Sequence, residues 1–354
     1  MIMNIYRNIN RANIQFDFIV HTTEKCDFED EIINLGGKIY RIPQFSLKTL
    51  YSYRKAWINF FRENPGYKVV HGHVRSTAAI YLDIAKHLGL ITISHSHSTS
   101  SGVGMSAFVK NLMQYHIRNI ADYLFTCSIE SGKWLFGRNV DKRFNFYIIN
   151  NAIDTQRFTF NPVTRKKFRE ELGINGKFVI GHVGRFIHTK NHDYIIDIFA
   201  ELCKQNSRSI LLLVGKGEFE NKIRDKVRSM GLVDNVKFLG VRSDVPDLMQ
   251  AFDVFLFPSI YEGLPVTLIE AQAAGLPCFI SENISEEVKI SNLVQFISLN
   301  KSPKFWAQYI LKYNYGSART SMLDILIQAG FDIKESVKWL EKFYIRNAIR
   351  EKNV

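Results

Sequence analysis

A chain of 354 residues, 46% hydrophobic and 23% charged, has a globular composition and enough length for two domains of ordinary size. No apolar run approaches the ~18 residues of a membrane span, no basic-then-apolar leader opens the chain, and the four cysteines form no CxxC pair. A spanning helix, a secretory signal, a disulfide framework and a zinc ribbon are therefore unsupported, a reducing cytoplasm is the expected compartment, and the net charge of +12 predicts an anionic partner.

Ile2, Ile5 and Ile9 have helical spacing, so the chain opens inside a helix. Strand candidates follow at 14–21, 38–42, 69–73, 91–95, 123–128 and 146–150. After a polar, turn-rich join at 150–154 and Asn161-Pro162, a second series lies at 178–183, 210–214, 236–239, 254–257, 278–281 and 294–298. Amphipathic stretches separate the strands, as at 193–205, where Ile195, Ile196, Phe199 and Leu202 share a face. Such alternation predicts parallel sheets covered by helices on both faces, and two series predict two α/β domains, 1–155 and 156–330. A terminal amphipathic helix around 336–344, with Val337, Leu340 and Tyr344 as its stripe, belongs to a tail at 331–354.

Four segments could carry chemistry. In the run from Ser259 to Pro277, a strand ends at Pro258 and a helix is expected to start at or near Pro265, where a missing N–H does no harm. Free amides around Gly263 and Leu264 would then form an anion site at the helix start. Glu262 in the loop and Glu270 about one and a half turns into the helix could hold hydroxyls at two points of an extended ligand. Either glutamate alone could be a cap or a solvated side chain; the pattern E-G-L-P-x4-E followed by A-x-A-A-G-x-P is more specific. In the second segment, Gly181 to Asn191, Gly184 ends a strand, and Arg185 and Lys190 follow where two cations can meet a diphosphate. The third, His95-Ser96-His97, comes straight after a strand. It reads as a polar loop or a metal pair, though histidines at i and i+2 without a nearby carboxylate or cysteine are poor zinc spacing. The pair His71 and His73 could equally be structural, and Gly215-Lys216-Gly217 is a weak glycine loop by itself. No convincing D-x-D is present, so no metal is expected.

These segments together resemble the retaining glycosyltransferases of family 4, which have the GT-B architecture, and more closely their capsule and exopolysaccharide branch. The resemblance is densest in VGRF…KN at 183–191, LLLVGKGE at 211–218, VKFLGVRSDVPDLM at 236–249 and YEGLPVTLIEAQAAGLP at 261–277. MNIYRNI at 3–9, SHSHST at 94–99, TCSIESGKWLFG at 126–137 and IINNAIDTQRF at 148–158 extend it over almost the whole chain.

The resemblance implies two Rossmann-like domains facing across a cleft, with the terminal helix packing back on the first. It implies metal-independent transfer with retention of configuration, from a nucleotide sugar, most simply a UDP-sugar, to a glycan or lipid-linked acceptor. Glu270 would bind the ribose hydroxyls. Glu262 with Gly263, Leu264 and Pro265 would hold the sugar and diphosphate. Arg185 and Lys190, beside Gly184, would neutralise the leaving diphosphate, Val241 and Arg242 would contact the base, and His97 or His95 would face the sugar. No separate cofactor is implied. The charge would serve contact with an anionic inner membrane face. Similar proteins have a strand and a Gly-rich loop before the MNIYRNI helix, so a neighbouring strand is expected to gain an exposed edge here. Competing readings are a non-transferring GT-B enzyme of the sugar-nucleotide epimerase type, an inactive truncated paralogue, and a basic nucleic-acid-binding protein. The last lacks a basic stripe with aromatic stacking residues.

Overall fold

The computed structural model describes residues 1–98, 104–313 and 319–349. Thr99 of the SHSHST segment and residues 350–354 of the tail lie outside them. The chain forms two compact units, residues 1–152 with 333–354, and residues 153–332.

The first unit contains β1 (Phe18–Val20), β2 (Ile39–Arg41), β3 (Val69–Gly72), β4 (Ile91–Ser96), β5 (Tyr123–Thr126) and β6 (Phe146–Ile148). Every pairing is parallel, but the strands make two sheets: β1-β2, and β3-β4-β5-β6. The alternation of side chains along the strands sends them into two apolar layers. Phe18 and Val69 pack with the first helix (Ile2–Asn8) and the last (Ile333–Ile349), through Tyr6, Phe343 and Tyr344. Ile19 and Val70 pack with the helices Leu50–Glu63 and Ala78–His87, through Trp57, Phe61 and Tyr81. The last helix is longer than its sequence stripe suggests, because Ile333 and Asn347 are also buried at its ends.

The second unit holds one six-stranded parallel sheet of β7 (Phe178–Val183), β8 (Ser209–Val214), β9 (Val236–Phe238), β10 (Val254–Phe257), β11 (Cys278–Ser281) and β12 (Val294–Ile297). Its order is β12-β11-β10-β7-β8-β9. Strands covered on both faces read as continuous apolar runs, and β8 and β10 are buried along their whole length. Leu212, Val214, Phe255 and Phe257 enter one core, while Leu211, Leu213, Val254 and Leu256 enter the other. The order reverses between β7 and β10, which opens a crevice at their carboxyl ends, the usual ligand position in such sheets.

Caps fix where the helices begin. Asn161 Oδ1 accepts from the Val163 and Thr164 amides at 2.9 and 3.1 Å, with Pro162 at the first helical position of Pro162–Glu171. Asn161→Ala is expected to cost about 1 kcal/mol in urea unfolding, with the fold unchanged. An unchanged midpoint would show that the cap contributes nothing.

Candidate functional site

The crevice between β7 and β10 gathers the best-placed residues of the second unit. Two hydrogen bonds set the loops that follow these strands: Ile260 N donates to Thr189 O at 2.8 Å, and Asn191 Nδ2 donates to Pro258 O at 3.1 Å. Asn191 is in the left-handed region, with φ of 56°, and it turns the short helical segment His188–Lys190 into the helix His192–Gln205. That turn aims Lys190 at the β10 loop. Its Nζ lies 2.8 Å from Glu262 Oε1 and 4.5 Å from the Phe257 ring centre. The pair is mostly buried, at 15% and 21% side-chain exposure, so little solvent screens it. Arg185 stands exposed at the same end of the sheet.

The helix Val266–Ala273 starts directly after Pro265, which is its cap residue rather than its first helical residue. The main-chain N–H groups of Gly263 and Leu264 find no acceptor among the described residues. An anion placed here would meet these amides and the positive end of the helix. Glu270 projects from the same helix and is partly buried. No hydrogen bond or ion pair engages its carboxyl among the described residues, and burial pushes its pKa up to about 7. An acceptor so poorly solvated gains from a ligand that donates hydroxyl protons to it.

Glycines let the neighbouring loops close up. Gly184 N donates to Val214 O at 2.9 Å, Phe186 N to Lys216 O at 3.0 Å, and Gly215 N to Gly240 O at 2.8 Å. The Gly215 loop, weak as a sequence signal, thus acts as a support that fixes the Gly184–Arg185 turn. Val241 and Arg242 lie exposed just beyond β9, and Arg242 Nε is held 2.7 Å from Asp244 Oδ1. Two buried histidines beneath Gly184 carried no usable sequence signal. His182 Nδ1 bonds Leu256 O at 2.9 Å, which makes Nδ1 the donor and leaves Nε2 a buried acceptor. The His192 ring stacks on Phe186 with ring centres 4.0 Å apart. Burial first, then nearby positive charge, lowers both pKa values, so both imidazoles are neutral.

In the first unit, four histidines form a stack at the carboxyl ends of β3 and β4. His95 lies inside β4 rather than after it. It is buried, with Nδ1 3.0 Å from His71 Nε2 and with Nε2 unpartnered. His71 Nδ1 lies 2.6 Å from the Tyr344 hydroxyl, and His73 Nδ1 lies 2.8 Å from His97 Nε2. His97 is the exposed member. Its ring faces pack against His73 and His95, and this burial of the ring, then the Met1 amino group and Arg75, push its pKa down to about 4. Ring nitrogens of His71, His73 and His95 come within 4.8 Å of one another. Tetrahedral zinc with Zn–N bonds of ~2.05 Å needs nitrogens about 3.4 Å apart, and the stacked rings hold their lone pairs in near-parallel planes. The stack would have to open before it could ligate an ion.

The sheet order sets the loop amides and the carboxylate–ammonium pair at the point where strand order reverses, where open α/β sheets take their ligands. Comparison with known proteins agrees. The family described as "Glycosyl transferases group 1" matches residues 164–313. EpsF of Bacillus subtilis (strain 168), named as a glycosyltransferase, is 32% identical over 353 residues, which cover 97% of this chain and 92% of that one. The capsular polysaccharide biosynthesis glycosyltransferase CapH of Staphylococcus aureus is 25% identical, with 98% and 99% covered. Among solved structures, Anabaena Alr3699/HepE in complex with UDP and glucose has a TM-score of 0.73 at 17% identity, covering 93% of this chain and 91% of that one. The chain belongs to the group 1 glycosyltransferases and is a transferase of the GT-B fold class. Among the described residues, no helix is long and apolar enough to cross a membrane.

Proposed function

We propose that this enzyme moves a sugar from a UDP-sugar to a glycan or lipid-linked acceptor in capsule or exopolysaccharide synthesis, with retention of configuration and without a metal. The observation that carries the reading is the crevice itself: a half-buried Lys190–Glu262 pair, free amides at Gly263 and Leu264, and an unengaged Glu270 further along one helix. A nucleoside diphosphate matches that order of groups. Its ribose hydroxyls donate to Glu270, and its diphosphate takes the amides, Lys190 and Arg185. Breaking the bond to the sugar builds negative charge on the leaving phosphate, and fixed cations and amides stabilise it without reorganising. The names of EpsF and CapH, and the UDP and UDP-glucose complexes of HepE, support the donor and the setting. Contact with a lipid-bearing surface is supported by an exposed apolar stripe. Met105, Phe108, Leu112 and Tyr115 follow one another at i, i+3, i+7 and i+10.

Titration of Glu270 tests the donor site. A carboxyl with a pKa of about 7 is roughly 10% ionised at pH 6 and roughly 90% at pH 8, so UDP affinity measured by calorimetry should rise about tenfold over that range. Glu270→Gln should remove the part of this rise that does not belong to the phosphate, and Glu270→Ala should weaken UDP binding at pH 8. The sign for stability is opposite. The native chain holds a proton that the unfolded chain releases, so the ligand-free protein loses stability as pH rises from about 4.5 through 7. Unchanged UDP affinity in Glu270→Ala would remove the ribose role.

A further inference from the structure

A hydrogen-bonded relay runs from the last helix through β3 into β4. Tyr344, on that helix, places its hydroxyl 2.6 Å from His71 Nδ1, and His71 Nε2 lies 3.0 Å from His95 Nδ1. Tyr344 and His95 are buried, and Phe125 packs edge-on against both imidazoles, with ring centres 5.4 and 5.8 Å away. His95 Nε2, at the far end of the relay, is buried and has no partner among the described residues. Burial, ahead of the neighbouring histidines, keeps His71 and His95 neutral, and burial also keeps the proton on Tyr344. The variable that is left is which ring nitrogen carries the hydrogen, and each bond sets the next.

Two directions are open to the relay. In the first, Tyr344 donates to His71 Nδ1, His71 Nε2–H donates to His95 Nδ1, and His95 ends as an Nε2–H group. In the second, His95 Nδ1–H donates to His71 Nε2, and His71 Nδ1–H donates to the Tyr344 oxygen. The phenol proton then has no acceptor among the described residues, and His95 Nε2 ends as a buried lone pair. A phenol is the better donor and an imidazole nitrogen the better acceptor. The first direction uses them so, and it leaves one buried polar end unpaired where the second leaves two. That end is an N–H near the carboxyl terminus of β4, and open parallel sheets take ligands at the carboxyl ends of their strands. One ring outward, the exposed His97 stacks on His95 with ring centres 4.2 Å apart.

We propose that Tyr344 and His71 are positioning residues, which fix His95 as an Nε2–H donor to an oxygen of the transferred sugar. The sugar oxygen supplies the acceptor that the N–H lacks. That role rests on the reading of these histidines as facing the sugar, and it gives the last helix a part in recognising it.

The test uses the full chain with 15N-labelled histidine rings and three variants: Tyr344→Phe, Tyr123→Phe and His95→Ala. Tyr123 is the control, because its hydroxyl bonds Asn347 Oδ1 of the same helix at 2.5 Å and bonds no histidine. Ring nitrogen spectra of the parent chain should show hydrogen on Nε2 at both His71 and His95. Tyr344→Phe should turn each into a mixture of tautomers. It should also weaken binding of a UDP-sugar by about tenfold, while UDP alone binds as before. The probe is whichever of UDP-glucose, UDP-galactose and UDP-N-acetylglucosamine the parent chain binds most tightly. Tyr123→Phe should lower the melting temperature and change neither reading. Unchanged tautomers in Tyr344→Phe would overturn the proposal, as would an equal loss of UDP-sugar affinity in Tyr123→Phe, which would reduce the effect to helix docking. If His95→Ala weakens UDP-sugar binding and Tyr344→Phe does not, the positioning role alone fails. If neither weakens it, the sugar-facing reading of His95 fails as well.

Discussion

Lys190→Ala and Arg185→Ala are each expected to lower kcat by about 10²-fold; Arg185→Ala should keep the melting temperature of the parent chain, and Lys190→Ala should lower it. Both cations stand at the carboxyl end of β7, where the proposed reaction develops charge only as the sugar leaves. Their loss should therefore reach kcat more than KM. Lys190 has a second task, since its removal leaves Glu262 without its partner inside a half-buried loop. For that reason Lys190→Arg should restore more of the activity than Lys190→Gln. Rates should be the same with added magnesium or with EDTA. A strict magnesium requirement would show that a metal, rather than these side chains, carries the leaving-group charge.

Gly215→Val is expected to destabilise the second unit by about 3 kcal/mol or more in urea unfolding. Gly215 has a φ of 133°, and a Cβ placed there would lie 2.1 Å from the Gly184 carbonyl oxygen. The obstacle is backbone, which cannot swing aside as a side chain can. Gly173 supplies the control, because it has a φ of 65° and a Cβ added there would meet nothing within 4 Å. Gly173→Ala should cost only about 1 kcal/mol, the strain of the left-handed conformation alone. If the two substitutions prove equal, the loop after β8 is not pressed against the turn after β7.

Local pattern was enough for the strands of the second unit. Buried parallel strands are short apolar runs bounded by turn residues, so 178–183, 254–257 and 278–281 agree with β7, β10 and β11 residue for residue. At 14–21 the agreement ends, because only Phe18–Val20 pairs with a neighbour, and the separation of β1-β2 from β3–β6 is a matter of partners, not of pattern. The candidate site divides in the same way. Glu262 and Glu270 stand out because they are close in sequence around a proline-started helix. The ion pair from Lys190 to Glu262 spans 72 positions and exists only because β7 and β10 are neighbours in the sheet. His71 and Tyr344 are 273 positions apart, and no spacing rule connects them. The neutral state of His182 and His192 depends on burial, which neither residue announces in the sequence.

Residues 153–332 are a continuous insertion within a unit closed by the last helix, and the two crossing points are bound together. Ile153 pairs with Asp332, and Ile153 N donates to Phe331 O at 2.9 Å. During synthesis the order of completion is then the reverse of the order of translation. The insertion has every residue of its two cores once Asp332 has emerged. The unit that was started first still lacks Leu340, Phe343 and Tyr344, on which the layer over Ile5, Tyr6 and Ile93 is built. The amino-terminal half must therefore carry an open apolar face while the later half is translated, and that interval is when a chaperone has most to protect.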